Sequence, residues 1–79
     1  MNGFTFTMGE VLKDWREKNG ISLRLIAEKQ NMEEKLLTRL ERGEEVDCYV
    51  LLNYIDEVRR MTPDFDVVHE WRKGLGFER

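Results

Sequence analysis

The segment from residue 22 to residue 43, SLRLIAEKQNMEEKLLTRLERG, limits the fold of this chain more than any other segment. Ser22 is a strong N-cap residue and predicts a helix that begins directly after it. Asn31 tolerates a positive φ better than most residues, so it can make a tight turn where that helix ends. Gly43 is suited to ending a second helix. The segment therefore predicts two short helices joined by a turn, and the inward positions of the first helix are Leu25, Ile26 and Ala27.

The second helix, predicted over 33–42, has two faces of opposite character. The predicted buried face consists of Leu36, Leu37 and Leu40. The opposite face, at i, i+3, i+4 and i+7, consists of Lys35, Thr38, Arg39 and Arg42. A stripe of cations is most often a solvated face, but it also suits a polyanionic partner. Glu33 and Glu34 begin the helix, where acids are favourable by about 0.3–1 kcal/mol through the helix dipole.

Three further helices are predicted around this pair. Thr7 and Glu10 have capping-box spacing and predict a first helix that ends at Asn19-Gly20. Asp47 can cap a fourth helix. Thr62-Pro63-Asp64 combines a cap, a proline and an acid, and predicts the start of a fifth helix. At the N-terminus, apolar residues alternate with small ones up to the start of the first helix, which predicts a short strand or an arm that packs on the core or on a partner chain: Phe4, Phe6 and Met8, the last of which also begins the apolar face of the helix.

The 79 residues suffice for one domain, 1–79, with a marginal core that dimerisation would stabilise. The net charge of −3 is unevenly distributed. Residues 22–43 contain five Lys or Arg against four Glu, a net charge of +1, whereas residues 44–70 contain two Arg against eight acids, a net charge of −6. The acidic part lies outside the helix pair, so a near-neutral or mildly positive face remains available to a polyanion.

Several classes of protein do not match the sequence. No apolar run approaches the roughly 20 residues of a membrane span, and MNGFTFTMGE lacks the features of a secretory signal, so we expect a cytoplasmic protein. Cys48 is the single cysteine and is expected to be half-buried. His69 has no Cys/His cluster around it, so no metal site is predicted. No nucleophile–base pair or phosphate-binding glycine loop is present, and we predict neither an enzyme nor a cofactor.

The chain resembles the Cro/C1-type (XRE-like) helix-turn-helix family, which includes phage repressors and many small bacterial regulators. The resemblance covers roughly residues 8–70. The matching residues of the first helix and the turn after it are Leu12, Arg16, Gly20, Ile21 and Ser22. Those of the helix pair are Ala27, Asn31, Met32, Leu37 and the run from Arg39 to Gly43. The resemblance implies an all-α, five-helix, lambda-repressor-like fold with its helix-turn-helix unit at 22–43.

The resemblance also implies a function, namely sequence-specific binding of double-stranded DNA by a repressor-like transcriptional regulator. The helix at 33–42 would lie in the major groove. Lys35 or Arg39 would donate to guanine, Glu34 would accept from cytosine, and Leu36 would belong to the core or touch a thymine methyl group. The implied DNA-binding residues are Ser22, Arg24, Glu34, Lys35, Thr38, Arg39 and Arg42. The family also has an ion pair at the positions of Arg16 and Glu41, which would orient the first helix against the third.

A regulator of this kind is expected to bind a two-fold operator as a homodimer. The predicted dimer surface lies in the C-terminal helix and tail, 62–79, with the N-terminal arm as a further candidate. Its expected residues are Val67, Trp71, Leu75 and Phe77, with Phe4 and Phe6 from the arm.

Two departures from the family pattern favour an alternative function. Leu23 stands where the family often has a phosphate-binding glutamine, and Glu33-Glu34 stands where it usually has small polar residues. Carboxylates at the edge of the groove oppose the counterion release that drives DNA binding. The alternative is a helix-turn-helix fold used for protein interaction, antitoxin-like or phage-encoded, whose acidic 44–70 surface meets a basic partner. A DNA mimic would need a denser acidic run.

Overall fold

A computed structural model describes residues 7–75, and these residues form five helices without a strand. The helices are α1 (Met8–Lys18), α2 (Leu23–Gln30), α3 (Glu34–Glu41), α4 (Cys48–Met61) and α5 (Val67–Leu75). The predicted all-α, five-helix domain is confirmed. The arm with Phe4 and Phe6, and Phe77 of the tail, lie outside the described residues.

The predicted ends of α1 are confirmed. The backbone N–H of Thr7 donates to the Glu10 carboxylate at 2.9 Å, and the N–H of Glu10 donates to Thr7 Oγ1 at 3.2 Å. Both halves of a capping box are therefore formed. The helix ends at Asn19, and Gly20 follows with φ +64°, a conformation in which a residue with Cβ is strained.

The turn between α2 and α3 also has the predicted chemistry. Ser22 Oγ accepts the N–H of Leu25 at 3.1 Å and caps α2. Asn31 is left-handed, with φ 53° and ψ 52°, and is the only non-glycine residue with positive φ among residues 7–75. The N–H of Met32 then donates to the carbonyl of Ala27 at 2.9 Å. The chain thus leaves α2 in a tight turn and enters α3 three residues later.

A single core holds the helices together. α1 packs against α3, α4 and α5, and α2 packs against α3 and α4. The buried apolar side chains come from all five helices: Val11, Leu12, Trp15, Ile26, Ala27, Leu37, Leu40, Val50, Tyr54, Val58 and Val67. Within residues 7–75, no helix has both the length and the apolar character that a bilayer crossing requires.

α1 and α3 approach closely because residue 9 is glycine. A Cβ built on Gly9 would lie 1.9 Å from the carbonyl oxygen of Leu40 and 3.1 Å from the Cα of Glu41. Both of these atoms belong to the backbone, so neither can rotate away. The sequence pattern gave no indication of this contact, because glycine has no side chain to enter a hydrophobic periodicity.

The predicted start of α5 at Thr62-Pro63-Asp64 is wrong. Thr62 ends α4 instead: its Oγ1 donates to the carbonyl of Val58 at 2.8 Å and accepts the indole N–H of Trp15 at 2.9 Å. Residues 63–64 form a turn, and α5 begins at Val67. The hydroxyl that would have capped a helix at Pro63 is therefore used to tie α4 to α1.

The cap of α5 comes from a residue that the sequence pattern did not single out. Asp66 Oδ1 accepts the N–H of His69 at 3.0 Å, the bond expected of an N-cap carboxylate. The short connection before it brings Phe65 to the ring of Trp15, with 6.4 Å between ring centroids and a 47° tilt. This aromatic pair joins the connection before α5 to α1.

For three residues the predicted exposure to solvent is wrong. Leu25 is 38% exposed, because it points away from the side of α2 that buries Ile26. Cys48 is exposed, because it begins α4 on the side opposite the core. Val67 is buried in the domain's own core and cannot form part of a dimer surface.

Candidate nucleic-acid interface

The inward side of α3 fixes the helix on the domain. Leu37 and Leu40 are buried, and so is the carboxylate of Glu41. The opposite side is exposed or half-exposed, and no other helix of the described structure covers it; its side chains contact only their own helix and the residues just before and after it. α3 is therefore presented as a rigid element with a free outer face, as a groove-binding helix requires.

The predicted pair of Arg16 and Glu41 is confirmed as a bidentate contact. Arg16 Nε donates to Glu41 Oε2 at 2.8 Å, and a terminal guanidinium nitrogen donates to Oε1 at 3.0 Å. Arg16 also donates to the carbonyl of Ile21 at 3.1 Å, at the entrance to α2. One guanidinium thus joins α1, the start of the helix pair and the end of α3.

Tyr54 completes this network and was not predicted to belong to it. Its hydroxyl donates to Glu41 Oε2 and lies 3.3 Å from the carbonyl oxygen of Leu12. Burial, together with the hydrogen bond to Glu41, raises the pKa of Tyr54 above its ordinary value. The hydrogen bond to Glu41 likewise raises the pKa of Arg16. Hydrophobic periodicity along α4 cannot show where the hydroxyl of Tyr54 points.

A second buried carboxylate holds α2 to α4. Glu57 is 2% exposed and accepts a hydrogen bond from Gln30 Nε2 at 2.7 Å. Arg60 Nε lies 3.9 Å away from the same oxygen and adds a weaker charge contact. α2 and α3 are therefore each tied to the rest of the domain by a buried glutamate.

The predicted DNA-binding residues of α3 lie on one outward surface. Lys35, Arg39 and Arg42 are exposed, and Thr38 between them is half-buried. The Thr38 hydroxyl donates to its own helix, at the carbonyl of Glu34, at 3.2 Å. Arg39 is held across the end of the helix, where one of its terminal nitrogens lies 3.4 Å from the carbonyl oxygen of Glu45.

The remaining predicted residues lie beside that surface. Ser22 and Arg24 are exposed at the start of α2, and Glu34 is the exposed first residue of α3. A shallow recess at the turn between the helices contains two carboxylates and one cation, and it is lined by Arg24, Ala27, Glu28, Asn31, Met32 and Glu34. Glu33 occupies the N-cap position of α3, but its side chain does not hydrogen-bond there.

Nearly every cation of the helix pair is already matched by a carboxylate of the same chain. Arg24 pairs with Glu28 at 3.3 Å, and Lys35 pairs with Glu33 at 3.7 Å. Lys29 is the one Lys or Arg of residues 22–43 for which the described structure contains no ion pair. These exposed pairs are weak, of the order of 0–1 kcal/mol each, so a polyanion can replace them.

Glu44 contacts the two arginines at the end of α3. Its Oε1 lies 3.4 Å from Arg39 Nε, and its Oε2 lies 3.8 Å from Arg42. In the sequence, Glu44 begins the acidic segment after the helix pair, and no spacing rule indicates that it faces both arginines. Its spacing of two and five residues from the arginines follows no helical rule, because Gly43, with φ +81°, turns the chain back.

Among residues 7–75, no group of His, Cys, Asp and Glu side chains is arranged to hold a metal ion. No protein-family model, curated protein or solved structure matches this chain.

Proposed function

We propose that the protein is a sequence-specific DNA-binding regulator, repressor-like and cytoplasmic, of the Cro/C1-type helix-turn-helix kind. The observation that carries this proposal is the arrangement of α3. Its inner side is bound to α1 and α4 through Leu37, Leu40 and the Glu41 network, and its outer side presents Lys35 and Arg39 to solvent. A helix held in this way can enter a major groove without rearrangement.

Each outward residue has a distinct role in the proposal. Arg39 donates to a guanine, and Lys35 contacts a neighbouring base or phosphate. Glu34 accepts from a cytosine amino group, and Thr38 contacts a base edge. Phosphates on either side of the groove are held from the start of α2 and the end of α3, by Ser22, Arg24 and Arg42. Two copies of the chain bind the two halves of an operator about one helical turn apart, or some 34–36 Å.

The first experiment is a fluorescence-polarisation titration of the protein against duplexes selected from a random library, at low and at physiological salt. Binding should weaken as salt rises, with a slope near 0.9 per phosphate neutralised. Arg39→Ala should weaken binding to the selected duplex by about 1–3 kcal/mol and relax the preference at one base pair.

Lys13→Ala is the matched control, because Lys13 is an exposed cation of α1 without an ion pair among the described residues. It removes the same charge from a different face. Equal losses in both variants would mean that net charge, rather than groove contact, governs binding, and the assignment of Arg39 would be wrong.

The second candidate function is binding to a basic protein partner with little or no affinity for DNA. The specific observation in its favour is Glu44, which faces both Arg39 and Arg42 and lowers the positive potential of the α3 surface. On this alternative no selected duplex is retained even at low salt, and a partner docks on the acidic surface of residues 44–70.

A further inference from the structure

A cavity of about 600 Å³ opens between α1 and α5. Its lining comes from α1, from the Asn19 cap of that helix, and from Phe65 and Glu70 on the α5 side. Among residues 7–75, none that belongs to α2 or α3 lines it, so the cavity is separate from the proposed DNA-binding surface. Cavities of roughly 300–1,000 Å³ are typical of sites for small organic molecules.

The floor of the cavity is apolar and fixed in place. It consists of the buried side chains of Val11 and Trp15 and the half-buried ring of Phe65. The indole N–H of Trp15 donates to Thr62 Oγ1 at 2.9 Å, and 6.4 Å separates the centroids of the Trp15 and Phe65 rings. A small apolar group can therefore pack on the floor without a rearrangement of these side chains.

The rim of the cavity contains more negative than positive charge. Glu10 and Asp14 of α1 and Glu70 of α5 contribute three carboxylates, and Lys18 contributes the one ammonium group of the lining. Glu10, Asp14 and Lys18 follow one another at intervals of four residues, so they form one stripe along α1. Glu70 adds its carboxylate from the α5 side.

The cations of the chain balance this rim only in part. Lys18 pairs with Asp14 at 3.1 Å, and Lys73, which does not line the cavity, lies 3.7 Å from Glu70. Glu10 has no ion pair within residues 7–75. The two existing pairs are exposed and therefore weak, so a bound cation can share or replace them.

An amide oxygen adds to the acceptors of the rim. Asn19 Nδ2 donates to the carbonyl of Trp15 at 2.8 Å, which leaves the side-chain oxygen as the group that can accept from a ligand. The one cationic donor of the lining, Lys18, is engaged by Asp14. A rim of acceptors suits an ammonium group, which has a positive charge and several N–H donors, and it repels an anion.

We propose that this cavity binds a small organic cation, namely a primary amine with an aromatic or aliphatic body. The body packs on Trp15 and Phe65, and the ammonium group is held between Asp14 and Glu70. The site goes beyond the proposed function and does not depend on it, because no residue of the DNA-binding surface takes part. The ligand is small and the cavity is open to solvent, so the expected dissociation constant is roughly millimolar.

The test is a titration of the isotopically labelled full chain, followed by two-dimensional nitrogen–proton NMR at constant ionic strength. Three probes of similar shape differ in charge: phenethylamine, phenethyl alcohol and phenylacetate. Phenethylamine should shift the amide signals of α1 and of residues 65–70, and it should bind at least roughly tenfold more tightly than the other two. Equal binding of all three probes would overturn the ammonium site. An amine that shifts no signal well above millimolar concentration would overturn the cavity as a binding site.

Carboxylate variants separate this site from a general attraction of cations to an acidic protein. Glu70→Gln and Asp14→Asn should each weaken phenethylamine binding roughly two- to fivefold, and the second also frees Lys18 to repel the ligand. Glu17→Gln is the matched control, because Glu17 is an exposed carboxylate of α1 that does not line the cavity. Equal losses in all three variants would mean that net charge governs binding, and the site would be wrong.

A charge reversal tests the selectivity of the rim. Glu70→Lys places an ammonium group beside the apolar floor, so this variant should bind phenylacetate more tightly than the original chain does and phenethylamine more weakly. Glu17→Lys makes the same reversal away from the cavity and should keep the preference for the amine. The amide spectrum of each variant without probe verifies that the fold is intact. A folded Glu70→Lys variant that retains the original preference would overturn the role of the carboxylates.

Discussion

The hydroxyl of Tyr54 donates a hydrogen bond to Oε2 of Glu41, and this oxygen also accepts the Nε–H of Arg16. α4 and α1 therefore hold the same carboxylate at the end of α3 from two directions. Removal of either donor leaves the buried carboxylate partly unsatisfied and lowers stability. The position of α3, and with it the proposed DNA-binding surface, depends on this arrangement.

Tyr54→Phe should lower the free energy of unfolding by about 1–3 kcal/mol, because Glu41 loses a donor while it remains buried. Urea denaturation followed by circular dichroism measures the change. Tyr49→Phe is the matched control, since Tyr49 is half-exposed on the outer face of α4 and should change stability by less than about 0.5 kcal/mol. Equal effects of the two substitutions would contradict the role of the hydroxyl.

Arg16→Met should cost about 3 kcal/mol of stability, because it leaves the Glu41 carboxylate buried without a cation. The double variant Arg16→Met, Glu41→Leu should recover much of the loss, since an apolar pair leaves no buried charge. The same denaturation experiment tests both variants. A double variant that is as unstable as Arg16→Met alone would mean that packing, rather than charge, explains the first result.

Stability should fall at alkaline pH through Tyr54. The folded-state pKa of Tyr54 is raised by burial, above an unfolded value of about 10. Because the folded-state pKa is the higher one, Tyr54 contributes its full stabilisation at any pH below the unfolded-state pKa. As pH rises above the unfolded-state pKa, this contribution falls by at most about 1.4 kcal/mol per pH unit. Urea denaturation from neutral pH to above pH 10 should show a smaller alkaline decline in Tyr54→Phe than in the original chain. Parallel declines would contradict the assignment to Tyr54.

Gly9→Ala should destabilise the domain by about 1–3 kcal/mol, even though alanine favours a helix more than glycine does. The added methyl group would meet the carbonyl oxygen of Leu40, so α1 and α3 must move apart. Thermal denaturation gives the comparison, with Lys13→Ala on the exposed side of α1 as the control. A more stable Gly9 variant would show that the two helices are not packed as closely as described.

Glu44→Gln should strengthen DNA binding if α3 lies in the groove. The substitution frees Arg39 and Arg42 from their shared carboxylate and removes a negative charge from the DNA-facing side. The expected gain is roughly two- to tenfold, from the loss of exposed ion pairs and reduced repulsion. Fluorescence polarisation measures it, and Glu17→Gln on α1 controls for the change in net charge. Unchanged or weaker binding would contradict the proposed contacts of Arg39 and Arg42 with DNA.

The sequence predicted most of the local structure, because caps and turns depend on residues close together in the chain. The capping box of Thr7 and Glu10, the Ser22 cap and the left-handed Asn31 all follow from local chemistry. The pair of Arg16 and Glu41 was expected from the family resemblance, and its geometry is bidentate. The outward position of Lys35 and Arg39 followed from the 3.6-residue period of α3. The function that the resemblance implies remains a proposal.

The tertiary structure decided what depends on distant partners. Thr62-Pro63-Asp64 has the residue types of a helix start. The indole N–H of Trp15, far away in the sequence, instead donates to the Thr62 hydroxyl at the end of α4. Hydrophobic periodicity does not indicate the roles of Tyr54 and Gly9. Tyr54 acts through the direction of its hydroxyl, and Gly9 allows a close contact because it has no side chain. Glu44 reaches the arginines of α3 only because the chain reverses at Gly43. Local sequence sets φ, ψ and helix faces, whereas contacts between elements form only when the whole core is assembled.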